Sequence, residues 1–149
     1  MFKNMGIRKN WDRPQMYMTT EQANKREEIL FGGIYDHQNY EMGGIRSFFG
    51  LTPEDALSLV RLKFLDENDC QNESPPAKDF IRFCLENGHG WSLHGYSVSP
   101  TREDCRVTIE GVECHRAASN EERERFLSAF RFADDLRIND DNTCYCWYD

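Results

Sequence analysis

Apolar and polar residues alternate from Cys105 to Cys114, which is the pattern of a β-strand with one dry and one solvated face. The two sides of this run hold alternate residues, Cys105, Val107 and Ile109 against Arg106, Thr108 and Glu110. A second strand-like run, from Trp91 to Val98, precedes it, and the connection contains Pro100. The two runs predict an antiparallel hairpin formed by residues 91–98 and 105–114.

Four segments have the signals of helices. Thr20 is a candidate cap for a helix that ends at the Gly32-Gly33 pair. Thr52 and Pro53 predict the N-cap and first position of a second helix, which continues to Leu65. A third is expected from Pro75-Pro76 to Asn87, before Gly88, and Ser119 with Glu122 forms the capping box of a fourth.

The C-terminal residues 143–148, Thr-Cys-Tyr-Cys-Trp-Tyr, have high strand propensity and are expected to add a third strand. The fold class that follows is α+β: a small antiparallel sheet, hairpin 91–98/105–114 plus strand 143–148, packed by three to four helices. Residues 19–149 form one predicted domain, and residues 1–18, which lack periodicity, are interpreted as an arm that is not necessarily ordered.

Charge restricts the partners. The chain has a formal net charge of −8, which disfavours nucleic acid and anionic membranes and favours a basic protein partner. Acidic residues cluster near the C-terminus, at Asp134, Asp135, Asp140 and Asp141. With no run of about 18 apolar residues and no signal-peptide pattern at the start, the expected location is the cytoplasm.

Six cysteines without an export signal are expected to be free thiols, mostly in the core. Cys144 and Cys146 point the same way in a strand, so a zinc site is conceivable with further ligands from a neighbouring strand. Its candidate ligands are Cys114, His115, Cys144 and Cys146. The chain lacks the Cys-x-x-Cys spacing of structural zinc sites, so no metal and no cofactor is the favoured interpretation.

Binding is the favoured chemistry. Tyr96, Tyr145 and Trp147 are predicted on the sheet face opposite Trp91, Leu93, Cys144 and Cys146, and aromatic residues are common anchors of protein interfaces. Together with the four C-terminal aspartates they form the predicted binding set for a non-enzymatic interaction or regulatory module.

Residues 95–113 and the ending Cys146-Trp147-Tyr148-Asp149 resemble small uncharacterised proteins carried on bacterial mobile elements. The resemblance implies an accessory protein that modulates another macromolecule, and it assigns no activity to particular positions. Two alternatives stay open: an acidic inhibitor that mimics nucleic acid and occupies a DNA- or RNA-binding enzyme, and a small zinc- or thiol-dependent enzyme.

Overall fold

The computed structural model describes residues 15–149, which form four helices and five strands. In chain order these are α1 (Thr20–Phe31), β1 (Ile45–Leu51), α2 (Pro53–Arg61), α3 (Ala77–Asn87), β2 (Trp91–Val98), β3 (Val107–Cys114), α4 (Asn120–Ala129), β4 (Asp135–Ile138) and β5 (Cys144–Trp147). A short 3-10 turn covers His37–Asn39. No helix within this part of the chain is long and apolar enough to cross a bilayer.

All five strands join one antiparallel sheet in the order β1-β2-β3-β5-β4. The predicted α+β class is therefore confirmed, and the hairpin and the C-terminal strand are both in the sheet. The hairpin's second strand begins at Val107 rather than Cys105, and the C-terminal strand covers Cys144–Trp147 within the predicted 143–148. Strands β1 and β4 extend the sheet at both edges and were not predicted from the sequence.

Local capping chemistry explains the helix starts. Thr52 caps α2 with Pro53 in the first turn, and Ser119 and Glu122 form the predicted capping box of α4. The cap of α1 is Thr19, one residue before the predicted Thr20, because the Gln22 side chain completes its capping box. Helix α2 ends at Arg61, earlier than the predicted Leu65.

The hydrophobic core lies on one face of the sheet. Trp91 and Leu93 of β2 point to this face, where they meet aromatic side chains of the helical layer. The ring centroid of Phe83 in α3 lies 5.0 Å from that of Trp91 and 5.0 Å from that of Phe130, the residue after α4. All four helices contribute to the same cluster of buried apolar side chains. One core therefore unites the elements of residues 15–149, and the helices occupy one side of the sheet.

Two networks of charged residues anchor this helical layer. At the α1 corner, Glu27 is fully buried and accepts hydrogen bonds from Tyr40 and from Arg46 (3.1 Å). Arg26, also fully buried, donates to the Val98 carbonyl at 2.9 Å. Burial raises the pKa of Glu27, while the bonds from Tyr40 and Arg46 oppose that shift.

At the α4 corner, Arg116 donates two hydrogen bonds to Glu122, at 2.9 and 2.7 Å. The Trp91 indole N–H donates to the same carboxylate at 2.8 Å. These bonds, those of Arg116 above all, hold the pKa of Glu122 well below its usual range. The start of α4 is thereby tied to the first residue of β2.

Candidate functional site

The second face of the sheet carries no helix of residues 15–149. By strand alternation and the pairing register, this open face holds Ile45, Ser47, Phe49, Ser92, His94, Tyr96, Arg106, Thr108, Glu110, Glu113, Asp135, Arg137, Tyr145 and Trp147. In a three-layer fold a second layer of helices would cover this face, whereas here its aromatic and charged side chains are not covered by a helix of residues 15–149. This composition makes the open face the candidate functional site.

A row of stacked rings crosses the open face from β1 to β5. His94 stacks on Tyr145, with ring centroids 4.8 Å apart and planes 8° apart. On its other side Phe49 lies 6.1 Å away at 24°. The Arg137 guanidinium continues the row onto β4, 4.6 Å from the Tyr145 ring centroid. Four strands therefore contribute one side chain each to a continuous π-stacked row.

The row of rings passes over Gly111 of β3, the one strand of residues 15–149 that contributes no side chain to it. The register of β2 and β3 shifts between His94 and Gly95, and His94 pairs with Gly111. A Cβ at Gly111 would lie 2.7 Å from His94 Nε2 and 2.0 Å from the Cys146 carbonyl oxygen. Because Gly111 has no side chain, His94 reaches across β3 and approaches β5.

The contact with the Cys146 carbonyl fixes which nitrogen of the neutral His94 ring carries the proton. Its Nε2 lies 2.7 Å from the Cys146 carbonyl, which only accepts, so Nε2 carries the proton and donates. Burial lowers the pKa of His94, and the bond to Cys146 opposes that shift. Burial therefore favours the neutral form of the ring, which fits between two other aromatic rings without a charge.

The exposures in the row are unequal. Phe49 is 65% exposed, whereas His94 at its centre is 2% exposed. An exposed phenylalanine beside a rigid, stacked support is the kind of side chain that an incoming partner buries with little ordering cost.

The predicted binding residues Tyr96, Tyr145 and Trp147 lie on this face and are half-buried. Each is also in contact with a polar or charged group. Trp147 donates from Nε1 to Glu110 at 3.1 Å, and Tyr96 donates to Gln71 at 2.9 Å while accepting from Arg106 at 3.2 Å. The face therefore presents aromatic edges among carboxylates and guanidinium groups.

The four predicted aspartates do not form one cluster. Asp134 and Asp135 lie at the start of β4, and Asp140 and Asp141 lie in the turn after it. Asp135 is on the open face and bonds Arg137 at 3.1 Å. The bonds from Thr143 lower the pKa of Asp141, so that carboxylate stabilises the turn. Of the four, Asp135 alone belongs to the open face.

The candidate zinc ligands are divided between the two faces. Cys114, Cys144 and Cys146 are buried in the core, and His115 lies beside Ser92 and Glu113 on the other side. Within residues 15–149 no group of three or more His, Cys, Asp or Glu side chains is arranged to hold a metal ion. Burial raises the pKa of Cys144 to about 11 and that of Cys146 to about 12, which is opposite to the activation of a nucleophilic thiol.

Ser92, Glu113 and His115 form a cluster that the sequence did not reveal. Ser92 Oγ lies 3.1 Å from His115 Nε2, and Glu113 Oε1 lies 3.4 Å from the same nitrogen. In a catalytic triad the carboxylate contacts the nitrogen remote from the hydroxyl, so that it orients the base. Here both groups meet at one nitrogen, and the geometry of a serine nucleophile is not formed.

Comparison of the chain with protein-family models, with curated proteins and with solved structures gave no match in any of the three. The resemblance to proteins of bacterial mobile elements therefore stays a prediction. Arguments about function rest on the geometry of the open face.

Proposed function

We propose that the protein is a non-enzymatic interaction module that binds a basic protein partner on the open face of its sheet. The observation that carries the proposal is the stacked row of Phe49, His94 and Tyr145 on a face that no helix of residues 15–149 covers. Rigid aromatic side chains dominate binding energy at protein interfaces because they bury much area at a small entropic cost. An accessory or regulatory role, as for proteins of mobile elements, fits such a module.

Charge favours a basic partner. Residues 1–14 hold four of the 18 basic and one of the 26 acidic side chains, so residues 15–149 carry 14 basic and 25 acidic ones, a formal charge of −11. On the open face Glu110, Glu113 and Asp135 lie around the aromatic row. The two arginines of the open face are each paired with an aspartate, Arg106 with Asp104 and Arg137 with Asp135. A partner rich in Lys and Arg is steered to this surface, and acidic partners are repelled.

The size of the face suggests a transient contact. Strands spaced about 4.8 Å apart and about 25 Å long give a five-stranded face of about 500 Å², since two of the strands are short. Stable interfaces bury about 800 Å² on each partner. The open face by itself therefore suits a regulatory encounter better than a permanent complex.

The alternative of a nucleic-acid mimic has weaker support, because the four C-terminal aspartates do not share one surface and three of them are engaged within the chain. Asp134 accepts a bond from the Asp149 amide, Asp135 bonds Arg137, and Asp141 bonds Thr143. Carboxylates that imitate phosphates must be free to meet the cations of an enzyme groove. Binding of a basic partner to the open face relies on the aromatic row and does not require these aspartates to be free.

The test is a display selection of random twelve-residue peptides on the full-length protein, followed by affinity measurements with variants. We expect recovered peptides with net positive charge, whose affinity falls between 50 and 300 mM salt and drops about tenfold in Phe49→Ser and Tyr145→Ser. Phe132→Ser is the matched control, since Phe132 is an exposed phenylalanine (77%) outside the sheet. Peptides that are neutral or acidic, or that bind all variants equally, would refute the proposal.

A further inference from the structure

The two edge strands of the sheet differ in how they resist pairing with another chain. Strand β4 has four residues and carries Asp135 and Arg137, and short charged strands are a common protection of sheet edges. Strand β1 has seven residues, and its one charged side chain, Arg46, turns to the helical side. There it bonds Glu27 and lies 3.7 Å from the centroid of the Phe31 ring. The edge of β1 therefore carries no outward charge, and its regular part runs from Ile45 to Phe48, before an irregularity in the register between Phe48 and Leu51.

Backbone hydrogen bonds show which groups of β1 face outward. The Gly44 carbonyl accepts from Ser99 at 2.7 Å, toward β2, and the Ile45 carbonyl accepts from Glu41 at 3.0 Å, away from β2. Antiparallel strands alternate between these directions, so the N–H and C=O of Ser47 point outward. No hydrogen bond among residues 15–149 uses them, and Ser47 is exposed.

The same alternation places Phe49 at this edge. Its exposed ring begins the aromatic row, so the outward N–H and C=O of Ser47 and the exposed end of the row form one continuous surface. A chain that pairs with Ser47 would place a side chain beside Phe49 on the open face. The added strand would also enlarge the small contact area that the face provides alone.

We infer that the basic partner binds as an extended segment that adds a sixth strand to the sheet at the outer edge of β1. This inference rests on the proposed function, and it specifies how the partner binds. Main-chain hydrogen bonds to Ser47 supply affinity, and alternate side chains supply selectivity. We expect an apolar residue opposite Phe49 and basic residues elsewhere in the segment, because residues 15–149 are strongly acidic.

The test uses full-length variants at Ser47 and the tightest peptide from the display selection. Ser47→Pro removes the outward N–H and leaves the pairing of β1 with β2 intact, because proline is tolerated at an edge where the N–H faces solvent. Ser47→Thr is the matched control, since it keeps the N–H. We expect the proline variant to bind the peptide about tenfold more weakly and the threonine variant within about twofold.

A second measurement does not depend on the folding of the proline variant. In the wild-type protein, peptide binding should slow hydrogen exchange of the Ser47 amide, and unchanged exchange would contradict strand addition. Equal peptide affinity of Ser47→Pro and Ser47→Thr, with weaker binding by Phe49→Ser, would overturn the edge inference and leave the proposed function standing. Full affinity of Phe49→Ser as well, or a selection that returns no peptide, would overturn both.

The oligomeric state separates the partner from a second copy of the chain. A wild-type dimer that becomes a monomer in Ser47→Pro would place another copy on the edge and overturn the inference of a basic partner. We expect a monomer by light scattering for both proteins, because two chains of the same strong negative charge repel each other.

Discussion

The two faces of the sheet are formed by the same strands but differ in the contacts that their side chains make. On β2, Trp91 and Leu93 point into the helical layer, and His94 and Tyr96 point the other way. The covered face is closed by aromatic and aliphatic packing, with Leu93 fully buried. On the open face, side chains contact each other through stacking and hydrogen bonds while Phe49 stays 65% exposed.

Under the proposed function, this difference assigns stability to one face of the sheet and binding to the other. Apolar burial on the covered face contributes most of the free energy of folding, since each large buried side chain is worth about 2 kcal/mol. The open face contributes less, and its exposed side chains, such as Phe49, can change with little effect on folding. Substitutions on adjacent residues test this division directly.

The largest effects are expected for substitutions of buried residues on the covered face. Leu93→Ala should lower the free energy of unfolding by about 3 kcal/mol, because it leaves a cavity beneath α3 in a fully packed region. Urea denaturation measures the loss. Leu127→Ala is the control, since Leu127 is 42% exposed, and it should change stability by less than about 0.5 kcal/mol. Equal effects of the two substitutions would contradict the assignment of the faces.

The next largest effect is expected at the glycine beneath the aromatic row. Gly111→Ala should cost about 2 kcal/mol, because its Cβ meets the Cys146 carbonyl and the His94 ring. Gly33→Ala is the control, since a Cβ there meets no atom within 4 Å. Thermal unfolding followed by circular dichroism gives both values. A stable Gly111→Ala variant would show that His94 does not need the space above Gly111.

Much of the fold was predictable because its signals are local. The alternation from Val107 to Glu110 and the capping residues at Thr52 and Ser119 act within a few positions, so they appear in the sequence. Strand β1 was missed because Phe48 and Phe49 are adjacent apolar residues on opposite faces. Strand β4 was missed because four residues that begin with an aspartate resemble an acidic loop. Strand β1 also pairs with β2, about 50 residues later in the chain, whereas β4 pairs with β5 across a short turn.

The candidate site was predictable in part. Alternation alone placed Tyr96, Tyr145 and Trp147 opposite the core, as the structure confirms. His94 and Phe49 could not be brought to Tyr145 from the sequence, because their contact needs the register of β1 with β2 and the shift at Gly111. A histidine at an alternating position between Ser92 and Tyr96 was the available signal.

A smaller effect is expected from His94 itself. His94→Phe keeps an aromatic ring and removes the hydrogen bond to Cys146, so it should cost about 1 kcal/mol at pH 7.5. The folded state disfavours the protonated ring, because burial lowers the pKa of His94. The unfolded chain binds a proton near pH 6.5, so the wild-type protein loses stability as the pH falls below about 6.5.

The phenylalanine variant lacks this proton-binding group. The stability advantage of the wild-type protein over His94→Phe should therefore shrink between pH 7.5 and pH 5.5 in urea titrations at matched salt. Comparing the two proteins cancels the contributions of Glu27 and the other carboxylates. An advantage that is constant or grows at acidic pH would show that His94 is protonated in the folded state.

The smallest effect on stability is expected at Phe49, next to the buried Phe48. Phe49→Ser should change the free energy of unfolding by less than about 0.5 kcal/mol, because most of its ring is in solvent before the change. Phe48→Ser should cost about 4 kcal/mol, since Phe48 is 2% exposed on the covered face. Urea denaturation of both variants compares two identical side chains one residue apart. If Phe49→Ser is as damaging as Phe48→Ser, the open face belongs to the folding core and cannot be spared for a partner.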